Sequence, residues 1–218
     1  SIPDAYKVLY DRSLIEQLYI QFQSRKIDDR AAVETIKTWI QGKKPLLLAP
    51  GKSLLSKYDT IMEFIEKEHP YVISVNFVDP RYHMDACFVS NHKRMDIIGQ
   101  EIQHFTKIQT ILTSNIPEGP WKECLYVDYD RYTNDDEMIS DNAGLMLLKL
   151  LEHCGATEVY LAGFDGFHHR YNGNYYSKEL NFKVNEEEIL EKQLRIRGQL
   201  AELSQNMKIQ FLTPSVYE

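Results

Sequence analysis

Apolar residues recur at two different spacings along this chain. Between positions 13 and 23, Leu14, Leu18 and Phe22 fall at i, i+4 and i+8, the spacing of one helical face. Asp28 and Asp29 then open a second helix in which Val33, Ile36 and Ile40 share a face, and Gly42 stops it. From Lys44 onward short unbroken apolar runs alternate with helical stretches. Unbroken runs suit strands buried on both faces, and their alternation with helices is the signature of a doubly wound parallel sheet. Strands are predicted over 45–49, 71–75, 86–89, 109–112, 124–127, 158–162 and 208–212. Helices are predicted over 54–67, with Tyr58, Ile61, Met62 and Ile65 inward, and over 142–153, where Ala143, Leu147, Leu150 and Leu151 face the sheet. A last helix, opened by Asn185 and three glutamates and running to about 205, buries Ile189, Ile196, Leu200 and Leu203. The expected fold class is α/β, a Rossmann-like mostly parallel sheet with helices on both faces. Residues 1–43 form a helical arm or interdomain linker ahead of it, and residues 44–218 form the α/β domain.

Where the strands end, the pattern turns polar. Leu46-Leu47-Leu48-Ala49-Pro50-Gly51-Lys52-Ser53-Leu54 runs an apolar strand into a tight turn and a helix, with Ser53 placed to cap it. The free amides of such a first turn, at the positive end of the helix dipole, suit a phosphate-sized anion. An ordinary strand–turn–helix connection with Lys52 on the surface reads the same. Three later runs also end in small polar residues, at Asn76, at Ser90 and Asn91, and at Asn115. In an open α/β sheet the ligand crevice lies outside the carboxyl ends of the strands. Gly51, Lys52, Ser53, Asn76, Ser90, Asn91, Asn115 and Asp165 are therefore the candidate ligand-binding residues, although Asn and Ser also simply open loops.

The composition narrows the partners. With 218 residues, 43% of them hydrophobic, the chain can bury one substantial core without a disulfide or metal. A formal net charge of −7 argues against a nucleic-acid or anionic membrane surface. Cys87, Cys124 and Cys154 form no Cys-x-x-Cys pair, the usage of reduced thiols in the cytoplasm. No run reaches the roughly 20 apolar residues of a membrane span, so a cytoplasmic protein with no membrane partner is expected. The opening Ser1-Ile2-Pro3-Asp4 lacks a methionine, the expectation being a piece cut from a longer protein.

Other constellations change the picture less. Gly51-Lys52-Ser53 matches the end of a P-loop, but Leu46 stands where its first glycine is required, and no Gly-x-Gly-x-x-Gly is present. Asp128 and Asp130 follow a strand and are candidate ligands for a divalent metal, or members of a solvated acidic loop with Asp135, Asp136 and Glu137. Residues 163–183 lack any period yet hold Phe164, Phe167, Tyr171, Tyr175, Tyr176 and Phe182, which reads as a lid or a self-packed aromatic loop. His168 and His169 in that loop are the candidate catalytic bases.

The segments at 46–54, Asn76 and 88–91, with Ile139-Ser140-Asp141-Asn142-Ala143-Gly144 through Val159-Tyr160-Leu161-Ala162-Gly163-Phe164-Asp165, resemble the Rossmann-like core of bacterial sialyltransferases of the Campylobacter type and their pterin-pyrophosphokinase-like relatives. The resemblance covers about residues 44–167 and implies a nucleotide or nucleotide-sugar ligand without an essential metal. Those transferases carry a catalytic histidine shortly before the last long helix. Here Phe182-Lys183-Val184-Asn185 stands there, leaving only His168 or His169 for the role. The arm over 6–40 together with the 46–54 motif is similar to the region that follows the barrel in bacterial aldolases of the HMG-CoA-lyase type, including 4-hydroxy-2-oxovalerate aldolases. That resemblance implies aldol chemistry, with its divalent metal, in a preceding barrel, and makes this chain an appended C-terminal module. Three functions stay open: a nucleotide- or sugar-phosphate-binding module, a nucleotide-sugar transferase, and a non-catalytic domain whose N-terminal helices and last helix mediate homo-oligomerisation or docking.

Overall fold

The computed structural model describes residues 17, 20, 21, 24–104, 108–119, 123–166 and 186–218. Helix α1 (Arg30–Ile40) leads into β1 (Pro45–Leu48), a single turn α2 (Ser53–Ser56) and α3 (Tyr58–Glu68). Then follow β2 (Tyr71–Val75), β3 (Ala86–Val89), α4 (His92–His104), β4 (Gln109–Thr113), β5 (Cys124–Val127) and α5 (Tyr129–Tyr132). The chain continues through α6 (Ala143–His153), β6 (Glu158–Ala162), α7 (Glu186–Leu203) and β7 (Lys208–Phe211). All seven strands form one parallel sheet in the order β5-β4-β3-β2-β1-β6-β7. This is the expected Rossmann-like α/β arrangement, and each predicted strand is present to within a residue at its ends.

Alternation along the strands divides the core into two layers. Leu47, Ile73, Phe88, Ile111 and Leu161 point to the face covered by α1, α6 and α7. Leu46, Leu48, Val72, Cys87 and Leu112 point to the other, against Ile61 of α3 and Met95 and Ile98 of α4. Helix α6 is the most deeply set: Leu145, Met146, Leu147, Leu148, Leu150 and Leu151 are all buried, each contributing about 1.5–3 kcal/mol relative to exposure. Ala32, Val33, Ile36 and Ile40 of α1 belong to the same layer, so the described part of the arm packs on the α/β body.

Two helices stand where no helix was predicted, α4 and α5. The signal for α4 was present: Asn91 Oδ1 accepts from Arg94 N at 3.2 Å, a side-chain cap, and Met95, Ile98 and Ile102 follow on one face. The single helix predicted over 54–67 is instead broken at Lys57. At the break the Leu54 carbonyl accepts a hydrogen bond from the Tyr82 hydroxyl at 2.6 Å, drawing the first turn under the loop between β2 and β3. Among the described residues no helix is long and apolar enough to cross a membrane.

Burial pushes the thiols of Cys87 and Cys154 up to about 12 and that of Cys124 to about 11. Thiolate is the reactive form, and Cys124 alone of the three is part-exposed. Titration of the native protein with an aromatic disulfide reagent should therefore modify Cys124 first, with Cys87 and Cys154 reacting only at the rate of unfolding. Equal rates for all three thiols would contradict this packing.

Candidate functional site

The strand order fixes where a crevice can open. From β1 the chain moves through α2 and α3 to β2 on one face, whereas β6, the other neighbour of β1, continues through α7 to β7 on the opposite face. The connections that follow β1 and β6 thus lead to helices on opposite faces of the sheet, and this switch point is the usual ligand position of an open α/β sheet. Gly51 and Ser53 lie on one side of it, Gly163 and Asp165 on the other.

The two loops touch at backbone distance. Ala49 N donates to Ala162 O at 2.9 Å, prolonging the β1–β6 ladder, and Gly51 N donates to Gly163 O at 3.1 Å. A Cβ on Gly51 would stand 2.2 Å from Gly163 O and 2.6 Å from Asp165 Cγ, so only glycine lets the loops meet. Gly163 has φ +77°.

Asp165 then binds the turn. Ser53 N donates to Asp165 Oδ2 at 2.8 Å, and Ser53 Oγ donates to Asp165 Oδ1 in a short bond. Thr213 Oγ1 lies 2.9 Å from Ser53 Oγ and accepts from Gly163 N at 3.0 Å. A hydroxyl carries one proton, so with Ser53 donating to the carboxylate, Thr213 donates to Ser53. Thr213, from the loop after β7, was not among the predicted site residues, because a lone Thr near the chain's end carries no motif.

This geometry alters the predicted anion turn. Ser53 is the first residue of α2, and Lys52, at the N-cap, makes no side-chain cap bond; the Ser53 hydroxyl is turned to Asp165. The Ser53 amide is held by the chain's own carboxylate, and α2 is a single turn, too short for a sizeable dipole. Lys52 is exposed at the rim of the turn.

Asn76, Ser90 and Asn115 are brought together, as links between strand ends. Asn76 sits at φ +59°, a region asparagine enters more readily than other non-glycine residues. Its Oδ1 accepts from Ser90 N at 3.1 Å, and Asn115 Nδ2 donates to Ser90 O at 3.1 Å. Asn115 Oδ1 accepts from the Thr113 hydroxyl. These amides stitch the carboxyl ends of β2, β3 and β4 into one floor. Asn91 is directed away from it, to the cap of α4.

Beyond β3 the edge is covered. Ser114 Oγ donates to Arg25 O at 2.7 Å and Ile27 N donates to Asp128 Oδ2 at 3.3 Å, so residues 24–29 run as a strap over the ends of β4 and β5. Asp128 is thereby a buried strap anchor, while Asp130 is exposed on α5. Among the described residues no group of three His, Cys, Asp or Glu is placed to hold a metal ion. His168 and His169 lie outside the described residues. Two cavities, of about 530 Å³ beside Lys149 and Glu202 and about 540 Å³ beside Lys43 and Thr157, lie away from the switch point.

The loop between β2 and β3 leaves the same edge of the sheet and is held by Asp79 and Arg81. Arg81 Nε donates to Asp79 Oδ1 at 2.9 Å, and its Nη2 makes a short bond to Oδ2. Burial pushes the Asp79 carboxyl up, but the side-chain and backbone bonds from Arg81 outweigh it and hold the group below its ordinary value. A carboxyl depressed by folding contributes stability above its unfolded value, near about 4, and loses it as pH falls through the lower folded value. Asp79→Asn should consequently destabilise the protein at neutral pH and leave a shallower acid limb in thermal melts. A parallel downward displacement of the whole pH curve would exclude this titration.

No family model matches the chain, and comparison with curated proteins and with solved structures gives no match to either.

Proposed function

We propose that this domain binds a nucleotide or sugar phosphate in the crevice between the β1 and β6 loops, as the C-terminal module of an aldolase-like protein whose aldol chemistry resides in a preceding domain. The observation behind this reading is the switch point itself: β1 and β6 are adjacent and parallel, the chain leaves them for helices on opposite faces, and the residues directly after them form a floor fixed by Gly51, Gly163 and Asp165. Because Asp165 already occupies the Ser53 amide, the phosphate contacts the rim, where Lys52 is exposed, and the inner crevice takes the uncharged part of the ligand. Asn76, partly exposed at the end of β2, offers its amide to that part.

Thermal-shift measurements against cytidine, uridine, guanosine and adenosine monophosphates test this reading. A ligand at 100 times its dissociation constant stabilises the folded state by about 2.7 kcal/mol, a readily measured rise in Tm. Lys52→Glu should remove most of that rise, read as the difference between the ligand-bound and ligand-free Tm of the same variant. Absence of stabilisation by all four nucleotides and by sugar phosphates would sink the proposal.

A further inference from the structure

Helix α6 is buried along most of its length, and one charge interrupts it. Lys149 stands between the buried Leu148 and Leu150, is itself half-buried, and donates from Nζ to Thr133 O at 2.7 Å. An ammonium carries three donors, and no carboxylate among the described residues pairs with this one. Burial pushes it below its ordinary value, although Asp135, Glu202 and Glu152 are near enough to pull it up. All four side chains line the cavity of about 530 Å³ between α5, α6 and α7, a volume in the range of small-molecule sites. The walls are tied together: Arg195 Nη1 donates to Asp136 Oδ2 at 2.7 Å, and Asn206 Nδ2 donates to Glu152 Oε1 at 2.8 Å. Helix α7 and the turn after it are thereby fastened to the loop before α6 and to the end of α6.

The signs of the lining charges select the occupant. A lone anion would meet Lys149 but also three carboxylates, and a lone cation would meet the carboxylates but also Lys149. A molecule that carries both signs satisfies both sets. Arg131, on the same wall, is already offset by Asp29. With histidine counted as neutral, three carboxylates then face one ammonium, and the matching occupant carries more positive than negative charge. Asp135 and Glu202 are exposed whereas Lys149 is half-buried, so the anionic end of the occupant enters first and its cationic groups stay at the mouth.

We infer that the cavity between α5, α6 and α7 binds a basic α-amino acid, with its carboxylate on Lys149 Nζ and its cationic groups towards Glu202 and Asp135. This site shares no residue with the Gly51, Ser53 and Asp165 floor, and it stands whether or not the β1–β6 crevice takes a nucleotide.

Isothermal titration calorimetry of the full chain with L-lysine, L-ornithine and L-arginine gives the test. At least one of the three should give a saturable binding heat. 1,5-Diaminopentane, which lacks the carboxylate, glutarate, which lacks the cations, and L-alanine, which lacks the second cation, should each bind at least about ten-fold more weakly, because each leaves a lining charge unmatched. Lys149→Gln should weaken the best amino acid by about ten-fold or more, and Glu202→Gln, a change at an exposed position, by several-fold. The absence of binding heat with all three basic amino acids at millimolar concentration would overturn the inference, as would equal affinity for any of the three truncated compounds. An affinity that Glu202→Gln or a folded Lys149→Gln leaves unchanged would also overturn it. The comparison of compounds needs no variant, so it decides the matter even where Lys149→Gln does not fold.

Discussion

Gly163→Ala is expected to destabilise the domain by at least about 3 kcal/mol, enough to unfold a large share of a marginally stable protein. The residue combines two demands on a missing side chain. Its φ of +77° lies in the left-handed region, where alanine is strained by about 1 kcal/mol or more. Independently, a Cβ there would stand 1.8 Å from Ala49 O and 2.8 Å from Ala49 C, backbone atoms that cannot swing aside. Relief would require β1 and β6 to separate at the pair in which Ala49 N donates to Ala162 O, in the centre of the sheet. Gly155 supplies the control: its φ is +85° and nothing lies within 4 Å of its Cβ position. Gly155→Ala should cost only about 1 kcal/mol, so the difference in urea denaturation between the two variants isolates the collision. If both variants lose the same amount, the close approach of the β1 and β6 loops is wrong.

That collision explains why the candidate site is rigid where it matters. Gly51 and Gly163 bring two loops within hydrogen-bonding distance, Asp165 locks Ser53, and Thr213 joins both. Loops that follow β1, β6 and β7, far apart in sequence, are thereby held as one floor before any ligand arrives, which lowers the ordering cost of binding. The amides at Asn76 and Asn115 extend the floor across β2 to β4.

Local pattern made the strands legible because both faces of a parallel sheet are buried, so runs such as Val72-Ile73-Ser74-Val75 read as continuous apolar stretches. The gathering of Gly51, Ser53 and Asp165 was legible for a topological reason: parallel strands put every carboxyl end on one edge. What those groups do there was not. Asp165 lies 112 residues beyond Ser53, and no periodicity states whether a carboxylate at a strand end faces a ligand or its own chain's amide. Helix α4 was overlooked because its buried positions Met95, Ile98 and Ile102 are diluted by His92, Lys93, Arg94 and Asp96, and the capping role of Asn91 competed with its reading as a pocket residue. The break at Lys57 depends on Tyr82 reaching Leu54 from another loop, a tertiary contact outside any local window.

Asp29→Ala should rank with Gly163→Ala in effect, through electrostatics and not through collision. The Asp29 side chain is fully buried yet accepts three bonds: from Arg131 Nη1 at 2.7 Å, from Asp128 N at 3.0 Å and from the Tyr132 hydroxyl at 3.1 Å. Truncation strands a buried amide and a buried phenol, about 1–3 kcal/mol for each unmet donor. The loss of the ion pair adds less than in a fully buried pair, because Arg131 remains 43% exposed and water solvates it. A total of about 2–6 kcal/mol follows, with Asp29→Asn losing less because it keeps an acceptor towards Asp128 N. The damage should also be directional. Asp29 joins the strap to α5 beside the bond from Ile27 N to Asp128, so hydrogen exchange in Asp29→Ala should speed first at residues 24–29 and 128–133, ahead of β1, β2 and β6. A double-mutant cycle with Arg131→Ala should return a coupling of about 0.5–3 kcal/mol. Uniform acceleration of exchange across the sheet, or a coupling of zero, would show that the strap is not fastened through this carboxylate.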